Sequence, residues 1–293
     1  MENPHKYWLN DHLEVRVFTA DVVTIGTDWK CRNYPLEHWR LYLNSHDGAK
    51  LHFGREVFLL KKNCVFIIPA GLRFRTSCDD VVEHLFIHFN ISGMPDLALR
   101  TLFRHIRVAE ASSVLDAMLN ELREELRSSP VEDYREHLTQ HNGNIAMQWR
   151  LKAVIYQAIA CCVRGISPKE SEACWQLADE VRPLSAALRF IEENLAGNLS
   201  NSYLAELCGL SCEHFNRVFK TAMKQTPAVF VRERRLAEAS RLLMFSDRNI
   251  ETIAKNTGFY DRAHLSRTFK AFYGVSPNDY RVSVHGTLIE TKT

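Results

Sequence analysis

The chain has 293 residues, of which 46% are apolar and 25% charged, with 37 Lys and Arg set against 35 Asp and Glu. This is the profile of an ordinary soluble chain with room for two separate cores. The polar start MENPHKYWLNDH lacks the apolar stretch of a secretory leader, and the longest apolar run, around Ala153 to Val163, is too short to cross a bilayer. The eight cysteines form no CxxC pair, which argues against a zinc module or redox centre and fits a reducing cytoplasm.

From Leu13 to about Phe89 the chain reads as short apolar runs with alternation, broken by turn residues. Candidate strands are Glu14 to Phe18, Val22 to Thr27, His38 to Leu43, Ala49 to Phe53, Glu56 to Leu60, Cys64 to Ile68 and Val81 to Phe89. Strands this short and this frequent predict an antiparallel sandwich or barrel. In the last of them, His84, Phe86 and His88 share one face with Val82, and Val81, Leu85, Ile87 and Phe89 share the other with Glu83. Both faces are apolar enough to be buried, so pattern alone does not decide which lines the interior.

Two helical stretches follow. Ser112 to Arg127 places Val114, Leu115, Met118, Leu119, Leu122 and Leu126 on one face, with a serine cap and Pro130 beyond its end. Such a leucine stripe either packs on the sheet or meets a second subunit. A second stretch, about Ile145 to Val163, is apolar on most sides, and the polar residues 128–144 between them read as an exposed loop. Gly165 to Val181, with Pro168 and several charges, reads as a linker.

The last hundred residues carry one helical pattern twice. LAELCG from Leu204 to Gly209 and SCEHFNRVFK from Ser211 to Lys220 are answered by IAKNTG from Ile253 to Gly258 and FYDRAHLSRTFK from Phe259 to Lys270. The Phe-Lys pairs at 219–220 and 269–270 lie 50 residues apart, but the glycines at 209 and 258 only 49. One extra residue therefore belongs in the second turn. Each copy predicts a helix, a glycine-stopped turn and a second helix. Phe215, Val218 and Phe219 in the first copy, and Leu265 and Phe269 in the second, recur at core spacing. Asn216, Arg217 and Lys220, and then Arg262, Ser266, Arg267 and Lys270, fall on the opposite side.

A short helix with a basic outer face suits the major groove, where an arginine can bond guanine O6 and N7 together. Between the copies, Ala228 to Phe245 predicts a helix of roughly 27 Å, and successive major grooves on one side of a duplex lie roughly 34 Å apart. The charge distribution agrees: residues 183–285 hold fourteen Lys and Arg against ten Asp and Glu, leaving the preceding residues slightly acidic.

Together LAELCGLS, HFNRVFK, RRLAEASRLL, ETIAKNTGF, HLSRTFK and GVSPNDYR, in this order over about Pro183 to Arg281, resemble the DNA-binding domain of the AraC/XylS family of bacterial transcription regulators. The first copy departs at Lys224, where the second has Gly274, and a looser turn is expected there. GREVFLLKKNCVFIIPAGLRFR, from Gly54 to Arg75, is similar to the cupin-like sensor domain of many members. The resemblance implies a multidomain chain. An N-terminal β-barrel of cupin-like, jelly-roll type with helices occupies residues 1–165, a linker residues 166–182, and an all-α domain with two helix-turn-helix motifs residues 183–285.

What the resemblance implies is a cytoplasmic regulator of transcription, an activator by preference, rather than an enzyme. It would bind double-stranded DNA and RNA polymerase, act as a homodimer without a cofactor or membrane, and answer to a small molecule such as a sugar. Base reading falls to Glu213, His214, Asn216 and Arg217 in the first motif and to Arg262, Ser266 and Arg267 in the second, with Lys220 and Lys270 on phosphates. Ala263 removes one polar reader, so the second motif leans more on the backbone. In sugar-binding members the strand matching Val81 to Phe89 contributes a histidine and an aromatic two residues on, a relation His84 and Phe86 reproduce. Arg40, Tyr42 and Arg73 are further effector candidates. Two rivals remain: control by a partner protein, and a metal-dependent cupin enzyme. The second is poorly served, because His38, His46 and His52 form no His-x-His pair and Phe74 stands where a later histidine ligand belongs.

Overall fold

A computed structural model describes residues 14–30, 38–92, 99, 101–128 and 144–289, so nearly all of the expected loop at 128–144 lies outside the described residues. The chain divides into two compact units, one built mainly on residues 14–92 and 103–166 and the other mainly on residues 167–280.

The first unit contains β1 (Glu14–Ile25), β2 (Trp39–Asn44), β3 (Ala49–Phe53), β4 (Glu56–Leu59), β5 (Cys64–Ile68), β6 (Arg75–Cys78), β7 (Val82–Ser92) and β8 (Arg107–Glu110). They form a five-stranded sheet in the order β1-β7-β2-β5-β8 and a three-stranded sheet β4-β3-β6, with antiparallel neighbours throughout. The two strands expected at the start are one, because residues 19–21 between them stay paired with β7 and Phe18 is absorbed as a register shift between Val17 and Thr19. A shared core of Tyr42, Phe66, Ile68 and Phe86 from the larger sheet and Ala49, Leu51 and Cys78 from the smaller closes the sandwich.

The outer face of the larger sheet is covered by α1 (Ser113–Ser128) and α2 (Ile145–Val163), which pack on each other and on β1. Leu115, Leu119, Leu122 and Leu126 are all buried inside the unit. The leucines of the stripe are thus spent inside the unit rather than on a second subunit, each contributing roughly 2 kcal/mol of burial. Glu83 pairs with Arg123 and Arg127 of α1, which fixes the Glu83 side of β7 outward and turns His84, Phe86 and His88 toward the interior.

The second unit is all helical: α3 (Pro168–Val181), a 3-10 turn at Arg182–Leu184, α4 (Ser185–Glu193), α5 (Asn201–Leu207), α6 (Cys212–Met223), α7 (Pro227–Phe245), α8 (Ile250–Asn256), α9 (Arg262–Tyr273) and α10 (Pro277–Ile289). The segment expected as a linker is helix α3, and its Val181 belongs to the same core as Phe215 and Phe219. Capping side chains set the helix starts. Ser200, Ser211, Thr226, Asn249 and Asp261 each accept a backbone N–H three residues on. The turns at Gly209 and Gly258 have φ of 65° and 75°, and the second is longer by the one residue the repeat spacing requires. Lys224 takes the left-handed conformation of Gly274, with φ 58° against 83°, so the first copy closes the same turn without a glycine rather than loosening it.

Candidate functional sites

Helix α6 buries Phe215, Phe219 and Ala222, while α9 buries Leu265, Phe269 and Tyr273. That rotation leaves Glu213, His214, Arg217 and Lys220 exposed on α6, and Arg262, Ala263, His264, Arg267 and Lys270 exposed on α9. Positions 50 residues apart match: Arg217 with Arg267, Lys220 with Lys270. Among the described residues, the side chains of Arg217, Lys220, Arg262, Arg267 and Lys270 have no hydrogen-bond or ion-pair partner. Five cations held on packed helices and left unneutralised favour a polyanion.

Not every expected reader stands open. Asn216 is half-buried, its Oδ1 accepting from Asn201 Nδ2 at 2.9 Å and its amide reaching Cys212 Sγ at 3.6 Å. It ties the two helices of the first motif together. Ser266, its counterpart, is also half-buried. Two exposed residues escaped the sequence reading. Tyr260 is 89% exposed one residue before the Asp261 cap, and His264 matches His214 while packing edge-on against Phe259. The one-residue insertion in the second turn, which carries Tyr260, was the available signal.

The spacer α7 is fastened to both copies. Arg234 holds Glu192 of α4 through two bonds of 2.6 and 2.8 Å. The Arg235 guanidinium donates to the carbonyls of Leu195 and Gly197 at 2.9 and 3.1 Å and lies against Gly258 in the second turn. Ser240 bonds the buried Tyr280 hydroxyl at 2.8 Å. The two outward helices therefore belong to one braced frame.

In the sandwich, the inward faces of β2 and β7 bring together Arg40, Tyr42, Phe86 and His84, with Asn44 and His88 beside them. Arg73 is exposed and apart from the buried group. His84 Nδ1 lies 2.7 Å from Asn44 Oδ1, so the neutral ring donates there, and the Trp29 and Tyr42 rings stand 5.1 and 4.6 Å away. Burial pushes the His84 pKa down to about 3. His38 and His88, with ring centroids 4.6 Å apart, are held well below the ordinary histidine value by burial first, then by His88 in the case of His38 and by the Arg40 charge in the case of His88. Arg40, 1% exposed, has its guanidinium 4.8 Å from the Phe74 ring centroid. Thr19 and Asn44 were missed as neighbours because strand register, which brings each beside a β7 histidine, has no local sequence signal.

Comparison with known proteins agrees with the helical geometry. Residues 204–283 match the family model described as "Helix-turn-helix domain". The multiple antibiotic resistance protein MarA of Salmonella typhimurium is 33% identical over 104 residues, which is 35% of this chain and 82% of that protein. The transcriptional activator AarP of Providencia stuartii is 32% identical over 103 residues, 35% of this chain and 76% of AarP. The crystal structure of ToxT from Vibrio cholerae O395 shares the two-part fold across 94% of this chain and 99% of its own, with a TM-score of 0.53 and 12% identity. With a relative matched over most of its length and both helix-turn-helix copies in place, the chain belongs to the AraC/XylS family of DNA-binding transcription regulators.

Proposed function

We propose that the chain activates transcription by laying α6 and α9 in successive major grooves of one duplex, under the control of a small molecule held in the N-terminal sandwich. The observation that carries the DNA half is the matched pair of exposed, unneutralised basic faces on a braced frame. Arg217, Arg262 and Arg267 read bases, with Glu213, His214 and Ser266 adding contacts, and Lys220 and Lys270 hold phosphates. Asn216 contributes by keeping α5 and α6 in register as well as by any base contact.

The working division is a sensor over residues 1–165, a connection over 166–182 and a DNA-binding domain over 183–285. The effector is held by His84, Phe86, Arg40 and Tyr42, with a polyol such as a sugar as one class that a ring and an imidazole recognise. Recruitment of RNA polymerase and pairing of two chains follow from the family resemblance; pairing must use a surface other than the internal leucine stripe. Selection of bound sequences from random DNA by the full chain tests the reading: an enriched site with two separated conserved blocks is expected, and a single block or no enrichment contradicts it.

A further inference from the structure

Arg40 sits in a row that crosses the larger sheet from Thr19 on β1 through His88 on β7 to Arg40 on β2, each the register partner of the next. Direct partners in an antiparallel sheet point to one face, here the interior. Both Nη1 and Nη2 of Arg40 are buried with no hydrogen-bond partner, as are Thr19 Oγ1 and His88 Nδ1. A guanidinium keeps its charge in folded proteins, so four buried Nη–H donors with no acceptor among the described residues are costly unless something supplies one. Asp21, on the same face of β1, is half-buried, and its Oδ1 accepts the Val22 N–H at 2.7 Å. His38, His84 and His88 are neutral near pH 7, so the group carries one positive charge.

We infer that Arg40 is the anchor for a monoanionic carboxylate effector with an apolar or aromatic body. The planar fork of two Nη groups matches a carboxylate bidentately. Thr19 and His88 offer further bonds to its oxygens, and the rings of Phe74, Tyr42 and Phe86, in the same core, suit an apolar body rather than a second charge. One cation balances one anion; a dianionic phosphate would leave excess charge buried. This inference rests on the effector reading of the sandwich and narrows it from polyols to acids.

The test is thermal melting of the full chain with benzoate, octanoate, pyruvate and indole-3-acetate, each beside its neutral amide, and with arabinose as the uncharged polyol. At least one acid is expected to bind tenfold or more tightly than its amide, and Arg40→Met is expected to abolish that preference. Without any addition, Arg40→Met should melt at or above wild type, since it removes an uncompensated buried charge. A fall in the melting temperature of the unliganded variant, or no acid outperforming its amide, would overturn the inference. A response to arabinose that His84→Ala removes, with none to acids, would overturn it while leaving the effector reading intact.

Discussion

The two turn glycines offer a matched pair of perturbations. Gly209 and Gly258 both hold left-handed backbone, at φ 65° and 75°, in equivalent turns. A methyl added at Gly209 meets nothing within 4 Å, so Gly209→Ala should cost only the conformational penalty, about 1 kcal/mol. A methyl at Gly258 would press on the Leu195 carbonyl and come 2.7 Å from the Arg235 guanidinium. Relief requires moving the backbone or dislodging Arg235 from the Leu195 and Gly197 carbonyls. Losing one charged hydrogen bond there costs roughly 1.5–3 kcal/mol, bringing Gly258→Ala to about 2.5–4 kcal/mol. Hydrogen exchange of peptides from α5 to α9 in the full chain measures the local opening free energy of each variant. Equal losses for the two alanines would refute the argument that Arg235 locks the second turn to the first half.

Three further outcomes follow from the same geometry. Arg217→Ala should lower affinity for the selected site by about 1–3 kcal/mol and relax base preference, whereas Lys220→Ala should weaken all sequences alike and reduce the salt slope by about 1, both read by fluorescence anisotropy; indistinguishable profiles would contradict the division of roles. Lys224→Gly should raise stability by about 0.5–1 kcal/mol in urea melts, because glycine relieves the left-handed strain at φ 58°. His84, with its pKa pushed down to about 3 by burial, binds its proton more readily when unfolded. Its contribution is therefore intact above about pH 6.5 and lost as pH falls toward 3, amounting to roughly 2 kcal/mol at pH 5. The melting temperature of His84→Asn should fall less steeply between pH 7.5 and 5 than that of wild type, and parallel curves would contradict the buried neutral ring.

Much of this protein is written locally. The repeat at 50-residue spacing placed both helix pairs, their inward aromatics and the longer second turn, because helical periodicity and capping act within a few residues. Ala49–Phe53 and Cys64–Ile68 were read with their observed bounds for the same reason. The four-residue strands Arg75–Cys78 and Arg107–Glu110 were not found, since sequences such as RTSC carry too little alternation and form only by pairing with β3 and β5. The row Thr19, His88, Arg40 joins residues far apart in the chain, so it exists only once register is set. The tie between Asn201 and Asn216 was hidden likewise: helical phase put Asn216 outward, but the neighbouring helix took up its oxygen.

The account stands on two groove-reading helices held by one rigid spacer, and DNA spacing tests that directly. In a selected site, inserting about 5 base pairs between the two conserved blocks rotates them half a turn apart, whereas about 10 restore the facing but lengthen the gap. Affinity should drop at least tenfold with the shorter insertion, and Arg267→Ala should then have almost no further effect while Arg217→Ala keeps its full effect. Unchanged affinity, or undiminished effects of both arginine variants on the half-turn site, would contradict a braced pair reading one side of a duplex.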